Sequence, residues 1–211
     1  MLIIGARGHA IEILHLFENE WSAEAVAFYD DVTPNMPDRL FALYPILNAP
    51  HLAVEWLASD KRFVLGVGGV KVRHHLARKF QELGGELSSA ISASASISKH
   101  GSVLGAGVNV MHQVLISPNA RIGEGTLINT GASIHHDAVI GDFCEIAPGA
   151  RLLGGVQVGD FCFIGANATV LPRVCLGHHV VVGAGAVVNQ DVSDYTTVVG
   201  VPARALPLKT N

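Results

Sequence analysis

Apolar residues recur at every sixth position over a long stretch in the second half of the chain. The pattern has no exception at these fifteen positions: Leu104, Val110, Ile116, Ile122, Ile128, Ile134, Ile140, Ile146, Leu152, Val158, Ile164, Val170, Leu176, Val182 and Val188. A period of six fits neither the 3.6-residue turn of an α-helix nor the simple alternation of a strand. It is typical of a parallel β-helix with three flat faces, in which one coil takes about eighteen residues.

The positions around each apolar site support this interpretation. Two residues before each site the side chain is small or β-branched, and we expect it to fill the interior as well. A glycine often follows the site directly, as at Gly123 and Gly141, and we expect it to provide the unusual backbone angles of a corner. The prolines of the repeat fall two residues after a site, which also places them at corners: Pro118, Pro148 and Pro172.

The first 85 residues follow a different pattern, in which short apolar runs alternate with turns and helical spacing. We predict strands at residues 2–4, 25–29 and 62–67, and a helix at residues 70–83. This alternation indicates a small, Rossmann-like parallel sheet with flanking helices. Gly84 and Gly85 mark the break, so we expect an α/β domain at residues 1–85 and a β-helix domain with a C-terminal tail at residues 86–211.

Glycines and polar side chains follow the predicted strands of the first domain. They are Gly5, Arg7, Gly8 and His9 after the first strand, Asp30 and Asp31 after the second, and Gly68 and Gly69 after a later one. Because the carboxyl ends of parallel strands meet at one edge of a sheet, we expect these residues to lie together. Glycines before a helix let a phosphate approach backbone N–H groups, and a carboxylate accepts hydrogen bonds from a ribose or a base. The missing G-x-G-x-x-G argues against NAD.

Composition and charge exclude several classes of protein. The chain of 211 residues has 15% charged residues and a formal net charge of −4, so no basic surplus indicates nucleic acid. No apolar stretch approaches the length of about 18 residues that a membrane span needs. The N-terminus has neither a basic segment nor a cleavage site, so we expect a cytoplasmic protein. Cys144 and Cys162 should stack one coil apart as buried thiols.

Together, these motifs resemble those of bacterial sugar acetyltransferases with a left-handed β-helix, of the sialic-acid O-acetyltransferase and nucleotide-4-amino-sugar N-acetyltransferase type. The matching segments are Gly5-Ala-Arg-Gly-His9, Asp30-Asp31, Asn129-Thr130-Gly131-Ala132, His136-Asp137, Ala147-Pro-Gly-Ala150 and Gly200-Val-Pro-Ala-Arg204. The resemblance implies a left-handed coil, acetyl-CoA as the co-substrate with no metal, and a homotrimer with active sites between neighbouring β-helices.

Acetyl transfer needs a base for the proton of the acceptor and a hydrogen-bond donor for the thioester oxygen, which gains charge. The resemblance implies that His136 is the base and that Asp137 orients its ring. Gly154 should lie one coil beyond His136, about 4.8 Å along the axis. The N–H of Gly154 is then a suitable oxyanion donor, and the resemblance places such a donor at this position.

The resemblance also implies where the two substrates bind. The glycines and acidic residues of the first domain are expected to hold a nucleotide-linked amino sugar. Acetyl-CoA is expected along the late coils and the tail, at Gly165, Ala166, Gly183, Ala184, Pro202 and Arg204. Glu145 stands where the family usually has a second histidine, nine residues after the base, and we expect it to bind the ammonium group of the sugar.

Three functions remain open from the sequence. The first is N-acetylation of a nucleotide-linked amino sugar, which the first domain favours because its glycines and acidic pair suit a nucleotide. The second is O-acetylation of a sialic acid or related sugar. The third is nucleotide-sugar binding without catalysis, for which the change at Glu145 is the argument. A zinc carbonic anhydrase is disfavoured, because the sequence lacks the HxxxxH pair that commonly contributes to such a three-histidine site.

Overall fold

The structure is a computed structural model that describes residues 1–17 and 21–207. The end of the predicted tail, from residue 208, lies outside the described residues. The chain divides into two units, Met1–Ala90 and Ile91–Asn211. The division falls after Ala90 rather than after Gly85, because residues 86–87 form a strand of the first unit's sheet. No helix in the described part of the chain is both long and apolar enough to cross a membrane.

The first unit is a sheet covered by helices. Its elements are β1 (Leu2–Ile4), α1 (His9–Leu16), a 3-10 turn (Ala23–Ala25), β2 (Ala27–Tyr29), β3 (Arg39–Leu40), β4 (Tyr44–Leu47), α2 (Pro50–Ser59), β5 (Arg62–Leu65), α3 (Val70–Glu82) and β6 (Glu86–Leu87). The six strands lie in the order β3-β4-β2-β1-β5-β6, and all are parallel except β3. The apolar runs of β1 and β2 are fully buried, as expected where helices cover both faces of a parallel sheet.

The sequence predicted β1, β5 and α3 with small changes in their bounds. The second strand begins at Ala27, because Ala23–Ala25 forms the 3-10 turn. The β3–β4 hairpin and α2 were not predicted. The hairpin turn carries Phe41 and Ala42 at φ angles of 51° and 57°, where asparagine or glycine is the usual indicator, so the sequence there does not indicate a turn.

The second unit is a parallel β-helix of short strands. They are β7 (Ala90–Ile91), β8 (Ser96–Ile97), β9 (Val103–Leu104), β10 (Asn109–Val110), β11 (Leu115–Ile116), β12 (Arg121–Ile122), β13 (Leu127–Ile128), β14 (Ser133–Ile134), β15 (Val139–Ile140), β16 (Glu145–Ile146), β17 (Arg151–Leu152), β18 (Gln157–Val158), β19 (Phe163–Ile164), β20 (Thr169–Val170), β21 (Cys175–Leu176), β22 (Val181–Val182), β23 (Val187–Val188), β24 (Thr197–Val199) and β25 (Arg204–Ala205). From β7 to β23 every third strand joins the same sheet, which gives three faces, and β24 and β25 extend the first of them.

We name the faces by their sheets. Face A contains β7, β10, β13, β16, β19, β22, β24 and β25; face B contains β8, β11, β14, β17, β20 and β23; face C contains β9, β12, β15, β18 and β21. Corners AB, BC and CA lie between them in chain order. Ile116 pairs with Ile134, so one coil takes eighteen residues, as the sequence predicted. The fifteen apolar sites all point inward, and all except the half-buried Leu104 are buried.

The glycines after the apolar sites have a different role from the one that we expected. Neither Gly123 nor Gly141 has a positive φ angle; the left-handed residue stands two positions later in the hexapeptide, as at Asn119 and Asp137. The glycines are required by the close approach of successive coils. A Cβ on Gly141 would lie 2.7 Å from the carbonyl carbon of Gly159. The expectation about corner backbone angles was therefore wrong for these positions.

The buried thiols bind the coils to one another. Cys144 and Cys162 are free and buried, as the sequence predicted. The Sγ of Cys144 donates to the carbonyl oxygen of Gly159 at 3.1 Å, and the Sγ of Cys162 donates to that of Gly177 at 3.0 Å. Each of these two thiols therefore satisfies a carbonyl group of the following coil, which a purely apolar side chain would leave unpaired.

Candidate active site

His136 lies at corner BC, two residues after the inward Ile134. Its Nδ1 lies 2.8 Å from Oδ2 of Asp137, and the Nδ2 of Asn119 donates to the other carboxylate oxygen at 3.0 Å. Asp137 adopts a φ angle of 60° at the corner, and Asn119 occupies the same position of the previous coil with a φ of 61°. The repeat itself therefore stacks these two side chains, and the left-handed corner turns the carboxylate toward the imidazole.

The hydrogen bonds determine which nitrogen of His136 can act as a base. The contacts with His136 and then Asn119 hold the pKa of the Asp137 carboxyl below its usual value, so it is ionised at neutral pH. An ionised carboxylate only accepts hydrogen bonds, so the neutral imidazole carries its proton on Nδ1. The lone pair of Nε2 is then available. The ring is accessible to a substrate, because 65% of the His136 side chain is exposed.

Gly154 provides the space that the imidazole occupies. A Cβ on residue 154 would lie 2.5 Å from both Cε1 and Nε2 of His136, so only a glycine fits beneath the ring. The N–H of Gly155 donates to the carbonyl oxygen of His136 at 2.8 Å, which fixes the two coils at this point. Nε2 of His136 and the backbone of Gly154 are thus immediate neighbours.

The N–H of Gly154 is unused because of the residue one coil further on. At corner CA, the residue two positions after the inward site donates its N–H to a side chain of the next coil. The N–H of Asp142 donates to Asp160 Oδ1 at 2.8 Å, and that of Asp160 donates to His178 Nδ1 at 2.9 Å. At corner BC, the residue one coil after Gly154 is Pro172, whose side chain has no hydrogen-bond acceptor. Within the described residues, the Gly154 N–H has no acceptor. It is free to bind an oxyanion.

Glu145 is a predicted site residue that lies far from His136 within the same chain. It begins β16 on face A, where its side chain points outward and is half-buried. In a coil with three faces, face A lies opposite corner BC. Glu145 therefore lies on the other side of the β-helix from the imidazole of its own chain.

The predicted cofactor residues gather along corner AB. Gly165 and Ala166 follow β19 there, and Gly183 and Ala184 follow β22 one coil later. The tail continues the column, because the N–H of Val187 donates to Gly200 O at 3.0 Å and the N–H of Ala203 donates to Val187 O at 2.8 Å. Pro202 lies within this tail turn.

Arg204 joins the end of this column through the last strands. It lies opposite Val199 in the antiparallel pair of β24 and β25, and Val199 contacts the position of Gly183. The Nη1 of Arg204 donates to the carbonyl oxygen of Ala203 at 2.8 Å, and the side chain is exposed. Corners AB and BC both border face B, so the predicted cofactor column and His136 lie along the two edges of one face.

The first unit contains a cleft of about 750 Å³ at the carboxyl ends of β1, β2 and β5. The chain leaves β1 toward β2 on one side and returns to β5 on the other, so the cleft lies at the topological switch point of the sheet. Seven of the predicted residues line it: Gly5, Arg7, Gly8, His9, Asp30, Asp31 and Gly68. Gly69 lies beside them, as the residue that precedes α3.

The two acidic residues of the cleft have different roles. Asp30 holds its own loop, because its carboxylate accepts hydrogen bonds from the N–H groups of Val32 and Thr33 and from the Thr33 hydroxyl at 2.9–3.1 Å. Oδ2 of Asp31 accepts hydrogen bonds from the Tyr29 hydroxyl at 2.7 Å and from Lys79 Nζ at 3.0 Å. Burial opposes the charge on Asp31, but these two bonds outweigh it and lower the pKa of this carboxyl. Asp31 is thus a charged acceptor at the cleft.

Sequence reasoning missed two groups of residues. Lys71, His75 and Lys79 line the cleft from one side of α3, and their spacing of four residues was visible in the predicted helix. Asn119 was also missed. Its position eighteen residues before Asp137 was sufficient to find it, because the same spacing had placed Gly154 beside His136.

Comparisons with known proteins agree with this architecture. The family model described as the PglD N-terminal domain matches residues 1–80, and the bacterial transferase hexapeptide model matches residues 119–154 and 155–190. A histidine-to-alanine variant of GDP-perosamine N-acetyltransferase from Caulobacter crescentus, in complex with CoA and GDP-perosamine, is 33% identical with a TM-score of 0.86. The match covers 98% of this chain and 96% of that one.

Two further solved structures are similar over nearly their whole length. The acetyltransferase domain of PglB from Neisseria gonorrhoeae, in complex with acetyl coenzyme A, is 28% identical with a TM-score of 0.87. WeeI from Acinetobacter baumannii is 28% identical with a TM-score of 0.88. Each match covers 97% of this chain and 98% of the other. No curated protein sequence matches the chain at a significant level.

The fold and the matches define an acyltransferase with a left-handed parallel β-helix. More narrowly, the chain belongs to the bacterial hexapeptide-repeat sugar acetyltransferases that carry a PglD-type N-terminal domain.

Proposed function

We propose that this protein transfers the acetyl group of acetyl-CoA to the amino group of a nucleotide-linked amino sugar, with His136 as the general base. The observation that carries the proposal is the position of His136 Nε2 directly above Gly154, whose N–H has no other acceptor in the described chain. A base and an oxyanion donor in contact suit acetyl transfer from a thioester.

The reaction follows from these two groups. The amine nitrogen attacks the carbonyl carbon of the thioester while Nε2 of His136 accepts a proton from the amine. The N–H of Gly154 donates to the carbonyl oxygen, which becomes negative in the tetrahedral intermediate. When the carbon–sulfur bond breaks, the imidazolium returns its proton to the sulfur, which leaves as the CoA thiol. Asp137 stabilises the imidazolium between the two transfers, because its carboxylate remains charged.

The cleft of the first unit supports an acceptor that is bound through its nucleotide. Its cleft combines the glycines of the β1–α1 turn with a charged carboxylate at Asp31 and a row of basic residues on α3. The glycine turn and the basic row suit a diphosphate, whereas the carboxylate suits an N–H group of a base or a hydroxyl of ribose. The structurally similar perosamine N-acetyltransferase, which is crystallised with GDP-perosamine, supports the same acceptor class.

A homotrimer is part of this proposal. Glu145 lies on face A, opposite His136, so it can approach the same acceptor only from another copy of the chain. A three-sided coil that packs face A against corner BC of a neighbour makes a head-to-tail contact, and threefold rotation closes such a contact into a ring. Each of the three sites would then combine His136 of one copy with Glu145 of the next.

The test is acetyl transfer with purified protein, measured by release of the CoA thiol. The acceptors are UDP-, dTDP- and GDP-linked amino sugars, and the same sugars with the amine already acetylated serve as controls. We expect turnover with at least one free amine and none with its acetylated form. Transfer only to hydroxyl groups would contradict N-acetylation, and the absence of turnover with every acceptor would contradict the proposed acceptor class.

The role of His136 is tested with the same assay. His136→Ala should lower kcat by about 10²–10⁴-fold, the range for loss of a general base, and leave the Kd of acetyl-CoA unchanged. His100→Ala is the matched control, because His100 is an exposed histidine at the same corner two coils away. If folded His136→Ala protein has a kcat within threefold of wild type, proximity alone suffices for the reaction, and the role of His136 as a general base is wrong.

A further inference from the structure

Arg73 is a fully buried arginine in α3, close to the cleft but not part of its wall. Its Nη1 donates to the carbonyl oxygen of Leu65 at 3.1 Å and to that of Val67 at 2.8 Å. Both carbonyl groups belong to the end of β5 and the loop that follows it. That loop lines the cleft at Gly66, Val67 and Gly68.

Arg73 binds the carbonyl groups at the end of β5 that no strand pairs with among the described residues. β6 pairs with β5 only along Arg62 and Phe63, and its last bond runs from the N–H of Ser88 to Phe63 O at 2.8 Å. Beyond that point, no strand among the described residues pairs with the carbonyl groups of β5 that face away from β1. The guanidinium takes the place of such a strand, because its fork of donors can bind several carbonyl oxygens at once.

The same contacts fix the direction of the opposite N–H groups. In a trans peptide the C=O and N–H point in opposite directions, and the one cis peptide in the described residues lies elsewhere, between Val201 and Pro202. In the peptide that joins Leu65 to Gly66, the N–H points toward β1 and donates to Ile4 O at 2.9 Å. In the next peptide held by Arg73, which joins Val67 to Gly68, the N–H has no acceptor among the described residues.

We infer that Arg73 is a positioning residue that aims the Gly68 N–H into the cleft as a donor to an anionic oxygen of the acceptor's diphosphate. The inference rests on the proposed function. Arg73 lies behind the loop, so an N–H directed away from it faces the ligand. Lys71 lines the cleft in the following turn and supplies a positive charge beside this donor. A buried guanidinium behind the loop strengthens the preference of this position for an anion.

The prediction is measured by calorimetry with the full chain and UDP, dTDP and GDP, and the tightest of the three serves as the probe. Arg73→Met should weaken its binding about tenfold, because a hydrogen bond to a charged group is lost. KM for the nucleotide-linked sugar should rise by the same factor, with kcat within threefold of wild type and the Kd of acetyl-CoA unchanged. A loss that merely reflects general destabilisation would lower kcat and weaken acetyl-CoA binding as well.

Two further variants distinguish positioning from packing. Gly68→Pro removes the N–H and should weaken the binding of the probe about tenfold, as Arg73→Met does. The Arg73→Met and Gly68→Pro double variant should bind no more weakly than the worse of the two single variants, because both act through one donor. Arg78→Met is the control on the same helix, since Arg78 is exposed and its Nη1 contacts Gln81 at 3.0 Å.

The outcomes separate this inference from the proposed function. If wild type binds none of the three diphosphates, the nucleotide-linked acceptor is overturned, and the role of Arg73 with it. If wild type binds the probe and folded Arg73→Met binds it equally well, the inference alone is overturned. If folded Gly68→Pro binds the probe as tightly as wild type, the inference is overturned even if Arg73→Met fails to fold. Additive losses in a folded double variant would overturn it too.

Discussion

The imidazole of His136 rests on the backbone of Gly154, one coil further along the β-helix. The space beneath the ring is so small that a Cβ on residue 154 would stand 2.5 Å from Nε2. The eighteen-residue repeat brings the two residues together, and the absence of a side chain at 154 leaves room for the ring. The glycine thus has two separate roles: it makes room for the proposed base, and it presents an N–H that has no acceptor among the described residues.

The two roles of Gly154 can be separated, because alanine keeps the N–H and fills the space. Gly154→Ala should displace the imidazole and lower kcat by about 10²-fold or more, close to the loss of a general base. The Kd of acetyl-CoA and the thermal unfolding midpoint should change little. The double variant with His136→Ala should be no slower than His136→Ala alone. If Gly154→Ala retains full kcat, the position of the ring over the glycine is irrelevant to catalysis.

Asp137→Asn should lower kcat by less than His136→Ala does, because it alters the proton on the imidazole without removing the ring. Asn119 donates to one side of residue 137. An asparagine at 137 will therefore turn its oxygen toward Asn119 and its NH₂ toward Nδ1, which moves the imidazole proton to Nε2. Adding Asn119→Ala releases this constraint and should restore part of kcat. A double variant slower than Asp137→Asn would contradict the proposed orientation.

Titration of the Asp137 carboxyl should not affect kcat over the physiological pH range. The contacts with His136 and Asn119 lower the pKa of this carboxyl from an ordinary value of about 3.9. Its charge is therefore retained as the pH falls, and is lost only when the pH passes the lowered pKa. Asn119→Ala removes one of the two contacts and raises the pKa toward 3.9. The rate profile of this variant between pH 5 and 8 should keep the wild-type shape, and a new acid limb above pH 5 would contradict this account.

The sequence predicted those parts of the structure that depend on the repeat. A period of six determines which residues point inward, and a coil of eighteen places Gly154 beside His136 before any coordinates are known. The same arithmetic also puts Glu145 on the far side of the coil from His136, because a separation of nine residues is half of an eighteen-residue coil. Glu145 was assigned to the acceptor by resemblance alone, and one chain does not bring it there.

The first unit was less predictable, because its decisive contacts are tertiary. Arg73 looks like one more basic residue of a helix, and only the early end of β6 explains why it is buried. The β3–β4 hairpin has Phe41 and Ala42 where a turn is usually marked by glycine or asparagine. Its existence is determined by pairing with β2 rather than by local preference.

Arg204→Ala should weaken the binding of CoA about tenfold, because an exposed guanidinium at the end of the corner AB column can bind a phosphate group of the cofactor. The matched control is Arg121→Ala, which removes an exposed arginine from face C in an early coil. Calorimetry with CoA measures both. Equal affinities of the two variants would show that the phosphate groups bind elsewhere.

Gly141→Ala should lower the free energy of unfolding by about 1–3 kcal/mol, the range for a side chain forced into a packed interior. Its Cβ would stand 2.7 Å from the backbone of Gly159, so two coils must separate. Gly131→Ala tests the other role of glycine in the repeat, because Gly131 has a φ of 68° and nothing within 4 Å of its Cβ position. Its cost should be about 1 kcal/mol, from backbone strain alone. Denaturant unfolding of both variants compares the two costs, and a larger loss for Gly131→Ala would reverse our interpretation.

Glu145→Gln should raise KM for the amino sugar with little change in kcat, because a lost contact with the ammonium group weakens binding in the ground state and the transition state alike. If Glu145 acts in the site of a neighbouring copy, variants at 145 and 136 should complement one another. Random mixed trimers of His136→Ala and Glu145→Gln subunits contain about a quarter of their sites with both native residues. At acceptor concentrations below KM, the co-expressed mixture should therefore recover about a quarter of wild-type activity, above the mean of the separately expressed variants. A mixture that never exceeds this mean, with trimers shown by light scattering, would place Glu145 outside the site.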